Sequence, residues 1–268
     1  MSFIVTPRNI SWHYEICGQG ECLLFLHGWA SNSRVFSQQK EFFSKDHQVL
    51  TVDLPGHGDT SWQPISFSEI AQDIHFILET LKIASASLIG SSMGGLIGLK
   101  FSLAFPGNVH RLVLIGSLPK FCRTPEIPLG LHPGQFLKLR DQVQKQYPNI
   151  LEIFFRSLFT VEERETEKFR WLQQFRKNEK IPDQKALLGF LDQLERENLL
   201  FLAKDISVPV QFISGQEDYI CPMDSVAFLK TIMPQAEFHF IQKSGHFPFI
   251  IRSAEFNTLV REFLGRNE

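Results

Sequence analysis

Four short apolar runs, separated by turns and by helical stretches, constrain this chain more than any other feature. Leu23–Leu26 ends at His27-Gly28-Trp29, and Val49–Val52 ends at Asp53-Leu54-Pro55-Gly56-His57-Gly58. Ser87–Ile89 runs into Gly90-Ser91-Ser92-Met93-Gly94, and Arg111–Ile115 is the fourth. Runs this short read as buried strands. Between them, Phe67–Leu81 sets Ile70, Ile74, Ile77, Leu78 and Leu81 on one helical face, with Ser68 as the expected cap. Gly94–Ala104 is also helix-like and stops before Pro106. Strand and helix alternating at this rhythm mean βαβ units and a mostly parallel sheet.

The rhythm then breaks. From about Leu118 to Lys204, Phe136–Gln146, Ile150–Phe159, Glu162–Lys177 and Gln184–Leu202 read as helices, with no convincing buried strand. Strands resume at Val210–Ser214 and Glu237–Ile241, with helices at Ser225–Ile232 and Ala254–Leu264. The expected architecture is an α/β core of residues 1–117 and 205–268, with an all-helical cap, residues 118–204, inserted between the halves. Open α/β sheets bind ligands beyond the carboxyl ends of their strands, so a cap there would roof the site.

Composition narrows function by exclusion. With 268 residues, 43% hydrophobic and 21% charged, the chain is ordinary globular material with enough length to bury a full core. Its net charge of −2 gives nucleic-acid binding no electrostatic support. The longest apolar stretches are too short to span a membrane, and Met1–Ile10 lacks a signal-peptide pattern, so a cytoplasmic protein is expected. Cys17, Cys22, Cys122 and Cys221 show no metal-ligand spacing and are expected as free thiols.

Three strand ends carry chemistry. Gly90-Ser91-Ser92-Met93-Gly94 fits G-x-S-x-G between a strand and a helix. That turn is so sharp that only small residues fit two positions either side of Ser92, and it lifts the hydroxyl above the sheet. The Met93 N–H then lies at a helix start, where it can stabilise an oxyanion. Ser214-Gly215-Gln216-Glu217-Asp218 supplies an acid after a strand; Asp218 is preferred, and Glu217 stays open. Ser244-Gly245-His246-Phe247-Pro248 supplies a histidine after the last strand. The chain order Ser92, Asp218, His246 is that of the α/β-hydrolases among serine triads. A backbone N–H in the His27-Gly28-Trp29 loop, assigned to Trp29, would be the second oxyanion donor. His57 is expected to support its loop. The chemistry expected is acyl transfer from an ester through Ser92, with no metal or organic cofactor.

Leu26-His27-Gly28-Trp29, Val52–Gly58 and the Ser92 turn resemble the α/β-hydrolase superfamily. Further marks are Pro119-Lys120-Phe121, Phe154–Leu158, and Gly245–Ile250 followed by Ala254-Glu255-Phe256. On these the chain resembles, nearly end to end, the pimeloyl-[acyl-carrier-protein] methyl ester esterases of biotin synthesis. The resemblance implies Ser92, Asp218 and His246 as the triad. It implies substrate contacts from Trp29, Ser92, Met93, Phe154, Phe155, Arg156, Ser157, Leu158 and His246. It also implies a carrier-linked acyl methyl ester as substrate and an acyl carrier protein as partner, docked on Arg156, Lys168 and Arg170. A monomer acting without membrane or nucleic acid is expected.

Some positions depart from that family. Ser91 stands where it carries Trp, and Ile127-Pro128-Leu129-Gly130 lacks its Trp-Pro-Gly. Of its cap arginines, Arg170 falls in place, while Asn149, Ile153 and Thr166 occupy other such positions. Arg156, Arg164, Lys168, Arg176 and Lys177 are further cations, interleaved with Glu162, Glu163, Glu165 and Glu167, which read as a solvated helix face. Alternative readings are a short-chain carboxylesterase, a thioester or carbon–carbon hydrolase, and a receptor with a vestigial triad.

Overall fold

The computed structural model describes residues 2–266; Met1 of the first core segment and Asn267 and Glu268 of the second lie outside the described residues. The chain begins with strands β1 (Ser2–Val5), β2 (Ser11–Cys17) and β3 (Cys22–Leu26), then helix α1 (Ser37–Phe43) and β4 (Gln48–Val52). Next come α2 (Phe67–Thr80), β5 (Ala86–Ser91), α3 (Met93–Ala104) and β6 (Val109–Ile115). The insert holds α4 (Pro133–Gln146), α5 (Ile150–Ser157), α6 (Val161–Arg164), α7 (Glu167–Arg176) and α8 (Gln184–Arg196). The chain closes with β7 (Val210–Gly215), α9 (Met223–Ile232), β8 (Glu237–Ile241), α10 (Pro248–Ile251) and α11 (Ser253–Leu264).

The eight strands form one sheet in the order β1-β2-β4-β3-β5-β6-β7-β8. β1 and β2 run antiparallel at one edge, and all neighbours from β4 onward are parallel. β3, β5 and β7 are buried at every residue, which explains the unbroken apolar run of β3 and the mostly apolar or small residues of β5 and β7. α3 lies across β3, β5 and β6 with α2 beside it, whereas α1 packs on β4 and pairs with α11. Because the inner strands are parallel, the loops after β3, β4, β5, β6, β7 and β8 all emerge at one edge. That edge carries His27, Asp53, Ser92, Gly116, Asp218 and His246.

Several boundaries differ from the sequence expectation, each for a local reason. Ser66, not Ser68, caps α2: its hydroxyl accepts from Glu69 N, and the Glu69 carboxylate accepts from Ser66 N. The expected helix 162–177 is two helices, because Thr166 turns extended and caps α7. The helix from Gln184 ends at Arg196, where Glu197 turns extended and the chain returns so that Leu199 N donates to Pro119 O at 2.8 Å. α5 likewise stops at Ser157, two residues early. All four cysteines are free thiols. Among the described residues, no helix is long and apolar enough to cross a membrane.

The insert sits on the sheet edge through specific ties. Asp183 N donates to Gly56 O at 2.8 Å, and the Gln193 side chain bonds both Phe67 N and Ile65 O. Phe190 of α8 stacks on Phe67 at 5.7 Å. On the other flank, His246 N donates to Leu158 O at 2.8 Å.

Candidate active site

Ser92 is one of five non-glycine residues with positive φ among the described residues. It has φ 53° and ψ −118°, in a region that costs an L-residue of order 1–3 kcal/mol. A Cβ on Gly94 would stand 2.1 Å from Leu26 O, so the motif's small residues are sterically required. The turn is held from beneath by Ser92 N donating to Ile115 O (2.8 Å) and Ser117 Oγ donating to Ser92 O (2.8 Å). Met93 is the first residue of α3, where a backbone N–H has no intrahelical acceptor.

His246 and Asp218 meet at the same edge. His246 Nδ1 donates to Asp218 Oδ2 at 2.7 Å, and both side chains are buried. Asp218 Oδ1 accepts from Ile220 N (2.8 Å) and Cys221 N (3.1 Å), which fixes the carboxylate plane. Glu217 is exposed, so the geometry favours Asp218 as the acid. The two loops are laced together by Glu217 N donating to Ser244 O at 2.9 Å. Gly116, after β6, lies under the pair: a Cβ there would come within 3.0 Å of both Asp218 Oδ2 and His246 Nδ1.

The loop after β3 completes the constellation. A Cβ on Gly28 would stand 3.2 Å from Ser92 Cβ. His27 Nδ1 donates to Gly28 O at 2.8 Å, and its Nε2 accepts from Leu54 N at 2.9 Å. The carbonyl of Gly28 and the N–H of Trp29 belong to one planar trans peptide and point opposite ways. Holding the carbonyl therefore aims the Trp29 N–H. His57 supports the next residue, with Nε2 accepting from Ala30 N (3.2 Å) and Nδ1 donating to Pro55 O (3.1 Å). Burial lowers the pKa of both imidazoles, that of His57 to about 3. Each is a neutral scaffold group. Asp53 is anchored by His13, Ser33 N and Asp59 N, and these bonds outweigh burial and hold its carboxyl below the usual range.

Asp218, Cys221 and His246 bring ligand-type atoms within 4.8 Å of one another. The donor set suits hydrogen bonding better than a metal. Cys221 Sγ donates to Gly116 O at 3.0 Å, and burial pushes its thiol pKa well up, so it keeps its proton.

The expected substrate residues divide. Trp29 is buried, its indole N–H donates to Leu187 O at 2.9 Å, and its ring meets Phe154 edge-on at 4.8 Å. Phe154 and Ser157 line a groove of about 300 Å³ with Ile153, Leu139, Tyr219 and Ile220, beside the Asp218 loop. Ser157 Oγ pairs with Tyr219 Oη at 2.8 Å. Leu158 is buried, and its carbonyl holds His246 N. Phe155, expected as a contact, instead points into the insert. It is 1% exposed, packed on Phe159, Phe169 and Phe247, with the Arg176 guanidinium 3.6 Å over its ring. The one-residue offset from Phe154 turns it about 100° around α5, away from the groove. Arg156 and Arg170 are exposed. Lys168 is not a free docking cation, because its ammonium donates to Ile251 O (3.1 Å) and Ser253 Oγ (3.0 Å). Glu163 is also corrected: it is 3% exposed rather than solvated.

A serine on a strained elbow, with an acid and a histidine from later strand ends of the same sheet, is the layout of an α/β-type hydrolase. The chain belongs to the α/β-hydrolase fold family, whose model matches residues 21–253. Among curated relatives, the pimeloyl-[acyl-carrier protein] methyl ester esterase of Nitrosomonas europaea is 28% identical over 240 residues, 90% of this chain and 94% of that protein. The AB hydrolase superfamily protein YisY of Bacillus subtilis is 27% identical over 97% of this chain and 98% of its own. The solved esterase EaEST of Exiguobacterium antarcticum shares the fold with a TM-score of 0.90, at 23% identity over 99% of each chain.

Proposed function

We propose that this protein is a serine carboxylesterase that demethylates a carrier-linked acyl methyl ester, of the pimeloyl-carrier type named for its relatives. The observation that carries the esterase chemistry is the buried Asp218–His246 pair at 2.7 Å, on the sheet edge that also bears the strained Ser92. In this reading Ser92 Oγ bonds to the ester carbonyl carbon while His246 Nε2 takes its proton. Asp218 orients the imidazole and stabilises its cation. The Met93 and Trp29 N–H groups hold the oxyanion. The carbon–oxygen bond to the alcohol breaks, and His246 returns the proton, releasing methanol. Water, deprotonated by His246, then cleaves the acyl-enzyme to the free acid.

The groove along Phe154, apolar at Leu139, Ile153 and Ile220 and polar at Gln135, Lys138 and Gln142, supports an acyl chain, each CH₂ buried on its apolar part contributing roughly 0.8 kcal/mol. Exposed Arg156 and Arg170 support docking of an acidic carrier outside it. One observation favours a second reading, a general carboxylesterase without a carrier. The carrier-facing cations are sparse, with Lys168 tied inward and Asn149, Ile153 and Thr166 uncharged. The test is purified protein against pimeloyl-carrier methyl ester and a p-nitrophenyl ester. A kcat/KM for the carrier substrate at least about tenfold above that for the same acyl methyl ester without carrier supports the first reading. Parity leaves the second.

A further inference from the structure

The loop that carries His246 is held from outside the sheet by a buried acid of the insert. Glu163, in α6, accepts from Ser244 Oγ at 2.8 Å through Oε1, and from Gly245 N at 3.1 Å through Oε2. Thr160 N donates to the same Oε2 at 2.9 Å. Ser244 is fully buried. His246, which follows Gly245, donates its own N–H to Leu158 O, one turn before α6. Three consecutive residues, ending at the histidine, are therefore tied to the segment Leu158–Glu163 of the insert. There is no slack in this contact, since a Cβ on Gly245 would stand 2.5 Å from Leu158 O and 3.0 Å from Glu163 Oε2.

A carboxylate inside a fold is costly unless its lone pairs are filled by good donors. Here every donor but the local cap comes from the histidine loop. We propose that Glu163 is a positioning residue for the reaction, fixing the His246 loop so that its imidazole stands between Asp218 and Ser92. The proposal rests on the reading of His246 as the general base. The insert, on this account, is a structural part of the catalytic apparatus as well as its roof. Misplacing a catalytic group by about 1 Å costs on the order of a hundredfold in rate without loss of substrate affinity.

The experiment compares Glu163→Ala, Glu163→Gln, Ser244→Ala and Lys168→Met on a small p-nitrophenyl ester, with active sites counted by the acyl burst. Glu163→Ala is expected to lower kcat per titrated site roughly 10- to 100-fold, with KM within about twofold of wild type. Glu163→Gln keeps an acceptor for the two N–H groups and lets its amide donate to Ser244 Oγ, so kcat should recover to within about threefold. Ser244→Ala, which removes one of the ties, should fall between. Lys168→Met cuts a different tie between insert and core, and should lower Tm while kcat stays at wild type. A kcat per site within about twofold of wild type for Glu163→Ala overturns the proposal, as does a Glu163→Gln no faster than Glu163→Ala. If Glu163→Ala does not fold, a Ser244→Ala with wild-type kcat overturns it instead. Ser92→Ala belongs in the same series. Turnover there above about a tenth of wild type removes the Ser92–His246 reading itself, whereas a Ser92→Ala below that limit beside a fully active Glu163→Ala removes only the clamp.

Discussion

At the scale of single residues, the elbow is the firmest commitment. Ser92→Ala should fold as the wild type by circular dichroism and lose on the order of a millionfold in kcat on a p-nitrophenyl ester. Asp218→Asn should cost roughly ten-thousandfold by stabilising the wrong His246 tautomer. Glu217→Gln should sit near wild type, because Glu217 is exposed and only its backbone takes part in the loop. A greater loss from Glu217→Gln than from Asp218→Asn would move the acid. Ser92 was legible because its motif is a steric rule with a fixed strand–helix context. Asp218 was preferred over Glu217 from sequence, but both are acids after one strand, and the fold adds that Asp218 is buried and Glu217 exposed. Glu163 was misread altogether. Among Glu162, Glu165 and Glu167 it has the look of a solvated face, and its partners lie 81 and 82 residues away.

At the scale of elements, α5 offers a direct contrast. Phe154 faces the groove and the Trp29 ring, so Phe154→Ala should raise KM several-fold for longer acyl esters and leave kcat within about twofold. Phe155 fills the aromatic cluster of the insert, so Phe155→Ala should cost about 3–5 kcal/mol, read as a fall in Tm. If Phe155→Ala altered KM with Tm unchanged, the two faces of α5 would be exchanged. Helix α7 bears the other test. Arg170→Glu should lower kcat/KM for a carrier-linked ester, and the difference from wild type should shrink at high salt, while a small ester is unaffected. Equal effects on both substrates, or indifference to salt, would count against docking there. The inner strands were readable because burial on both faces leaves short, mostly apolar runs such as Leu23–Leu26 and Leu112–Ile115. β1 and β2 were not, because these two strands at the antiparallel end of the sheet are half solvated and mix polar residues into a short span. The break between α6 and α7 depends on Thr166 acting as a cap, which charge-rich flanks conceal.

At the scale of the whole molecule, the buried histidines make stability depend on pH. In the unfolded chain His27 and His57 titrate near 6.5; in the fold burial keeps them neutral, His57 down to about 3. Between those values the unfolded state binds more protons, so stability falls as pH drops through this window. For His57 the loss is on the order of several kcal/mol and is complete only below about pH 3. His13, raised chiefly by its bond to Asp53, acts in the opposite sense, and only above 6.5. The buried carboxyls of Glu163 and Glu179, raised by burial, oppose this trend at the acid end, so the expected result is a change of Tm from pH 7 to 4.5 that is less unfavourable in His57→Gln than in the wild type. Equal changes would refute the assignment. The α/β architecture was legible at this scale because its rhythm is periodic and its interruption long. How the insert grips the core was not, since that depends on pairings between distant turns. The interruption itself has a kinetic meaning. β6 and β7 are neighbours in register, yet 94 residues, 116–209, lie between them. Chain-closure entropy grows only logarithmically, so lengthening an ordinary crossover of ~25 residues to this size adds little more than about 1 kcal/mol. The equilibrium hardly feels it, but contacts this distant in sequence form late. During synthesis, a ribosome-bound chain that has completed only its first segment holds Ser92 without Asp218 or His246. On the proposed triad, such a nascent chain carries the nucleophile without its acid and base until the last two strands join the sheet.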